Sequence, residues 1–130
     1  MKNLSFAFVA ASLLAACSSP GSSSAGPVID SLDVPATTTD LTIQGQTGPG
    51  LVMTLSAHDD GSGINALHCV FPELNADKVI QIPNAPTTVL GQKIELVILN
   101  APKGPHNVEF HLTDAQGRSS GIVDKTITVP

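Results

Sequence analysis

The sequence contains no tryptophan and no tyrosine, and only four phenylalanines among its 130 residues. Sugar-binding faces and base-stacking platforms are built from exposed aromatic rings, so lectin-like and single-stranded nucleic-acid roles are disfavoured. Basic side chains are scarce as well: six Lys and Arg stand against eleven Asp and Glu, a net charge of −5. That balance argues against nucleic acid as a partner and against direct adhesion to anionic lipid. The acids are scattered from Asp30 to Asp124 and form no acidic tail. There are two cysteines, Cys17 and Cys69. The mostly apolar, uncharged run from Leu4 to Ala16 is shorter than the roughly 20 residues a membrane-spanning helix needs.

The front of the chain has the order of a secretory signal peptide. Lys2 supplies a positive charge, the run from Leu4 follows, and small residues close it before Cys17. Leu14-Ala15-Ala16-Cys17 resembles the lipobox of bacterial lipoproteins. The resemblance implies a signal peptide of residues 1–16 cut off before Cys17, a diacylglycerol thioether-linked to Cys17, and an acylated new amino terminus. The lipid bilayer is then a partner through Cys17: one acyl chain binds marginally at about 0.8 kcal/mol per methylene, whereas two or three hold a protein in place. Ser18 stands where an aspartate resembles an inner-membrane retention signal, so the outer membrane of the cell envelope is the expected location. Residues 17–27, rich in Ser, Gly and Pro, read as a flexible tether. After processing, five basic and eleven acidic side chains remain, a net charge of −6. Cys69 is then alone in an oxidising compartment, and its strand-like surroundings, Leu67-His68-Cys69-Val70-Phe71, point to a buried, inert thiol.

Residues 28–130 read as one all-β domain. Short apolar runs are separated by Gly, Pro, Asn and Asp, and no helical periodicity intervenes. The candidate strands are 28–34, 41–44, 51–58, 64–71, 78–82, 93–99, 107–114 and 121–129. Leu51, Met53, Leu55 and Ala57 alternate with polar neighbours, as do Val108, Phe110 and Leu112, so each set marks a buried strand face. The run 93–99 is apolar on both faces towards its end, which suits a central strand or a covered edge. Residues 55–67, with Asp60-Gly61-Ser62-Gly63, and 104–120, with Asp114-Ala115-Gln116-Gly117-Arg118, resemble two loop regions of bacterial immunoglobulin-like domains. The resemblance implies an immunoglobulin-like antiparallel β-sandwich of about seven strands, without the tryptophan and cysteine pair of antibody domains. It also implies that the tether enters beside Asp59, Asp60 and Asp114 and that Pro130 points away.

Candidate chemistry is sparse. Asp59, Asp60 and Asp114 offer hard oxygens suited to Ca²⁺, but a calcium site needs six to eight of them, and turn capping explains the same residues. His58, His68, His106 and His111 lie on strands without tight ligand spacing, which disfavours zinc or copper; His106 reads as a packing histidine. Gly-x-Ser-x-Gly is absent, Ser62 has no base beside it, and Glu73, Glu95 and Glu109 have no cleft to work in, so no enzyme and no cofactor is expected. What remains is a non-catalytic protein-binding or scaffolding module with an envelope protein as partner, or, as an alternative, a calcium-dependent adhesion or sensing module. Residues 78–90, with prolines at 83 and 86, read as an irregular edge suited to such contact.

Overall fold

The period-two pattern of the sequence is realised as strands in the computed structural model, which describes residues 26–130. The described residues form eight strands: β1 (Val28–Asp33), β2 (Thr39–Ile43), β3 (Gln46–His58), β4 (Ile64–Phe71), β5 (Ala76–Gln81), β6 (Thr88–Val97), β7 (Gly104–Asp114) and β8 (Val123–Val129). One 3₁₀ turn, Pro72–Leu74, separates β4 from β5. The expected signal peptide, the lipobox-like stretch with Cys17 and all but the last two residues of the expected tether lie outside the described residues.

Two four-stranded antiparallel sheets result. In the first, β6 runs along one side of β3, from Gly50↔Val97 to His58↔Thr88. The other side of β3 is shared end to end, β2 pairing with Gln46–Gly50 and β1 with Thr54–His58. The second sheet has the order β5-β4-β7-β8. This is an immunoglobulin-like sandwich, with eight strands rather than about seven.

The alternating residues supply the core between the sheets. Leu51, Met53, Leu55 and Ala57 of β3 and Val108, Phe110 and Leu112 of β7 are fully buried, and Phe71 and Phe110 are the largest side chains among them. Burying such side chains removes apolar area from water at about 25 cal/mol per Å², the dominant gain in folding. Two strands differ from the sequence reading. β3 begins at Gln46, because residues 46–50 pair with β2 in a hairpin, where the Leu41 side chain covers Gly50 so closely that a Cβ there would lie 2.5 Å from it. β6 begins at Thr88 and forms an edge; its apolar continuation is covered locally, with Ile98 buried and its N–H bonded to the Pro49 carbonyl at 2.8 Å.

The two sides of the sandwich are closed differently. Between β1 and β2 the chain crosses to β8, where the Thr38 N–H donates to the Thr128 carbonyl at 3.0 Å and the Thr128 N–H to the Ala36 carbonyl at 2.8 Å. On the other side, residues 82–87 link the edge strands β5 and β6 and are pinned at one end of the molecule. There the Asp59 N–H donates to Thr87 O at 2.8 Å and the Ile64 N–H to Pro86 O at 2.7 Å. Gly63 is obligatory at this junction: its φ is +100°, and any Cβ would strike the Ala85 carbonyl oxygen.

Gly26 sits where a Cβ would lie 2.5 Å from the Ser119 carbonyl oxygen, and Val28 pairs with His58. The chain thus arrives at the end carrying the β3–β4 and β7–β8 loops. Val129 pairs with Gly104, so Pro130 lies at the opposite end.

Candidate functional site

The three aspartates weighed for calcium sit in the two loops at the end where the chain arrives, and the loops meet, the Ala115 N–H donating to the Gly63 carbonyl at 3.0 Å. Their carboxylates do different work. Asp114 is fully buried and turns its charge onto its own loop: Oδ1 accepts from the N–H groups of Gln116 (3.0 Å) and Arg118 (2.9 Å), and Oδ2 accepts from the Arg118 guanidinium at 2.8 Å. Asp59 is also buried; its Oδ2 accepts from the Gly63 N–H at 2.8 Å, closing the loop, while Oδ1 has no partner. Asp60 is exposed. Among the described residues, no three His, Cys, Asp or Glu side chains gather into a group able to hold a metal ion.

Burial alone would raise the Asp114 carboxyl, but the Arg118 and Gln116 N–H groups and the Arg118 charge outweigh it and hold it below the usual carboxylate range. A carboxyl depressed in the folded state contributes stability above its unfolded pKa and loses it as pH falls through the folded value. Asp114→Asn is therefore expected to cost about 1.5–3 kcal/mol at neutral pH, the range for hydrogen bonds to a charged group. Urea unfolding of both proteins at pH 7 and near pH 3 checks this: the gap between them should shrink in acid, and an unchanged gap would remove the carboxylate from the account.

The remaining singled-out residues are structural or peripheral. Cys69 is fully buried, and burial, with Asp77 adding, pushes its thiol up to about 12, so it stays protonated and unreactive at neutral pH. His106 is the packing histidine expected: it is buried, and since a carbonyl only accepts, its Nε2–H donates to the Pro102 carbonyl at 2.7 Å. Its Nδ1 faces Glu73 Oε1 at 3.4 Å. His58 and Asp30 pair at 2.9 Å on the exposed face of the first sheet, and that hydrogen bond raises the His58 pKa. Glu95 and Glu109 lie on outward faces of β6 and β7.

Sequence reasoning left His68 and His111 apart, but the structure brings them together. They are register partners on β4 and β7, with ring centroids 4.5 Å apart and ring planes within 5° of parallel. Their pairing depends on strand register, which no local spacing expresses.

A cleft opens where the sheets part between β5 and β6. Its volume is about 510 Å³, and its apolar lining includes Ile80, Ile82, Pro83, Val89, Leu90 and Ile94. A β-bulge shapes its rim: Leu55 faces Gln92 and Ala57 faces Val89, so Leu90 and Gly91 together oppose Ser56. Gly91 takes φ +59° and donates its N–H to Ser56 Oγ at 2.9 Å. The bulge throws Leu90 outwards, leaving it 81 % exposed. Lys78 pairs with the buried Cys69 and so sits on the core side of edge strand β5, a placement that discourages indiscriminate strand pairing there.

No protein-family model matches the chain, and no curated protein matches it either. Among solved structures it is similar to the PKD domain of an M14-like peptidase from Thermoplasmatales archaeon SCGC AB-540-F20. The TM-score is 0.52 at 16% identity, over 81% of this chain and 96% of that one. The likeness is one of fold. It places this sandwich beside a domain that accompanies a peptidase, and the peptidase chemistry belongs to that protein alone.

Proposed function

We propose that this protein is a lipid-anchored envelope protein whose sandwich is a non-catalytic binding module, taking an extended segment of a partner protein along the outer edge of β6. The observation that carries this reading is the unequal closure of the sandwich. One side is laced to β8 by main-chain hydrogen bonds. Among the described residues, no strand pairs with the outer edge of β5 or β6, and an apolar cleft opens between them. An added strand gains main-chain hydrogen bonds from such an edge and places alternate side chains in the cleft, which supplies specificity. The exposed Leu90 on the bulge is a large apolar contact point at the rim.

The lipobox supports the anchor. With Cys17 acylated, eight residues, 18–25, separate it from Gly26, so the sandwich stays within a short chain's reach of the bilayer. Confinement to so thin a layer raises the effective concentration towards other envelope proteins, so a modest interface suffices. Ser18 supports the outer membrane as the site of attachment.

A photo-crosslinking residue placed at position 90 tests the reading in intact cells, with position 126 on the exposed face of β8 as reference. A discrete adduct is expected from 90, and Leu90→Glu should abolish partner recovery. Adducts from 126 with none from 90 would place the interface on the other sheet.

A further inference from the structure

The outer face of the second sheet carries a cluster that the binding reading does not use. At its centre the imidazoles of His68 and His111 stack across the β4–β7 pair. Each ring is partly exposed, His68 showing 21% of its side chain. Asp77 Oδ1 on the neighbouring β5 lies 3.8 Å from His68 Nδ1, and Thr113 Oγ1 lies 3.2 Å from His68 Nε2. Two residue pairs along, the next on the same face, Glu109 faces Val70 on one side and Asp124 on the other, so a row of carboxylates borders the two rings.

We infer that His68 and His111 form a cross-strand chelate for a divalent transition-metal ion that prefers imidazole nitrogen, such as Ni²⁺, Cu²⁺ or Zn²⁺. Directly opposed residues of antiparallel strands hold their Cβ atoms about 4.5–5.5 Å apart, so the ladder has already brought the two ligands side by side. Metal–nitrogen bonds of about 2.0–2.1 Å require the nitrogens to approach to roughly 3 Å, which the rings reach by splaying from the stack. Partly exposed side chains have the rotamer freedom to make that adjustment. The carboxylates of Asp77, Glu109 and Asp124 add attraction for a dication through space. No third side chain of the described residues completes the set, so water fills the other positions and the ion remains open to exchange. Imidazole pairs favour the later first-row metals over Mg²⁺ or Ca²⁺, which take oxygen.

The test titrates Ni²⁺ into the full-length protein, made without a histidine tag, in a non-coordinating buffer at neutral pH. The wild type, His68→Gln, His111→Gln and His58→Gln are compared by calorimetry. Wild type and His58→Gln are expected to bind at least ten-fold more tightly than the other two, because a single imidazole cannot chelate. A difference under three-fold between wild type and His111→Gln, or no heat at all, overturns the chelate. Histidine-ring NMR of the wild type gives a readout independent of variant folding. Substoichiometric Ni²⁺ should broaden the His68 and His111 signals first, and equal broadening of His58 would show adventitious surface binding.

Discussion

Phe110→Ala is expected to lower the free energy of unfolding by about 3–5 kcal/mol, the range for deleting a buried aromatic ring from a packed core. Phe110 is fully buried on β7, an inner strand, between Cys69 of β4 and Val123 of β8. Among the described residues it is one of two phenylalanines, with Phe71, and both are buried in the core. The neighbours cannot close the space easily, because both flanking strands are fixed by their own hydrogen-bonded ladders. Domains of this size have about 5–15 kcal/mol in total, so the substitution removes a large share. Urea unfolding should show a lower midpoint with an unchanged slope. A loss under about 1 kcal/mol would mean that the core collapses around the gap.

Cys17→Ser is expected to move the protein almost entirely from the membrane fraction to the soluble fraction. A diacylglycerol alone buries some thirty methylenes at about 0.8 kcal/mol each before losses, and two acyl chains together already suffice for stable anchoring. Serine cannot accept the thioether. Among the described residues no helix is long and apolar enough to cross a bilayer. The sandwich is acidic and repels anionic headgroups. Fractionation with mass spectrometry of the amino-terminal peptide reads the result. Retention on membranes of a serine variant shown by the same mass spectrometry to lack residues 1–16, or an unmodified thiol in the native product, would end the lipid-anchor reading.

Much of the sandwich was legible because it is local. A half-buried strand writes its orientation into every second residue, so Leu51, Met53 and Leu55, and Val108, Phe110 and Leu112, declared their faces. Glycine, proline and aspartate marked the loops because few other residues adopt those conformations, as Gly63 illustrates with its positive φ. What could not be read locally was which strand lies beside which. The apolar end of β6 left a central strand and a covered edge both open, and the second is realised, Ile98 finding its cover from the β2–β3 hairpin region rather than from another strand. The Leu90–Gly91 bulge exists only relative to Ser56 on β3. His68 and His111 are 43 residues apart and meet because β4 and β7 align at that pair. The capping of Asp114 by Arg118 was closer to hand, a four-residue spacing in one loop whose ion pair needed only the turn geometry to appear.

Residues 36–38 run parallel to β8, and the chain arrives at one end of the sandwich and departs at the other. A pull applied between Gly26 and Pro130 therefore drags these two segments past each other lengthwise. Their hydrogen bonds are loaded in shear and must fail together, rather than opening one by one like a zipper. Resistance to stretching is set by the height of the unfolding barrier and not by equilibrium stability. A body held on one side and gripped on the other would keep its shape under tension.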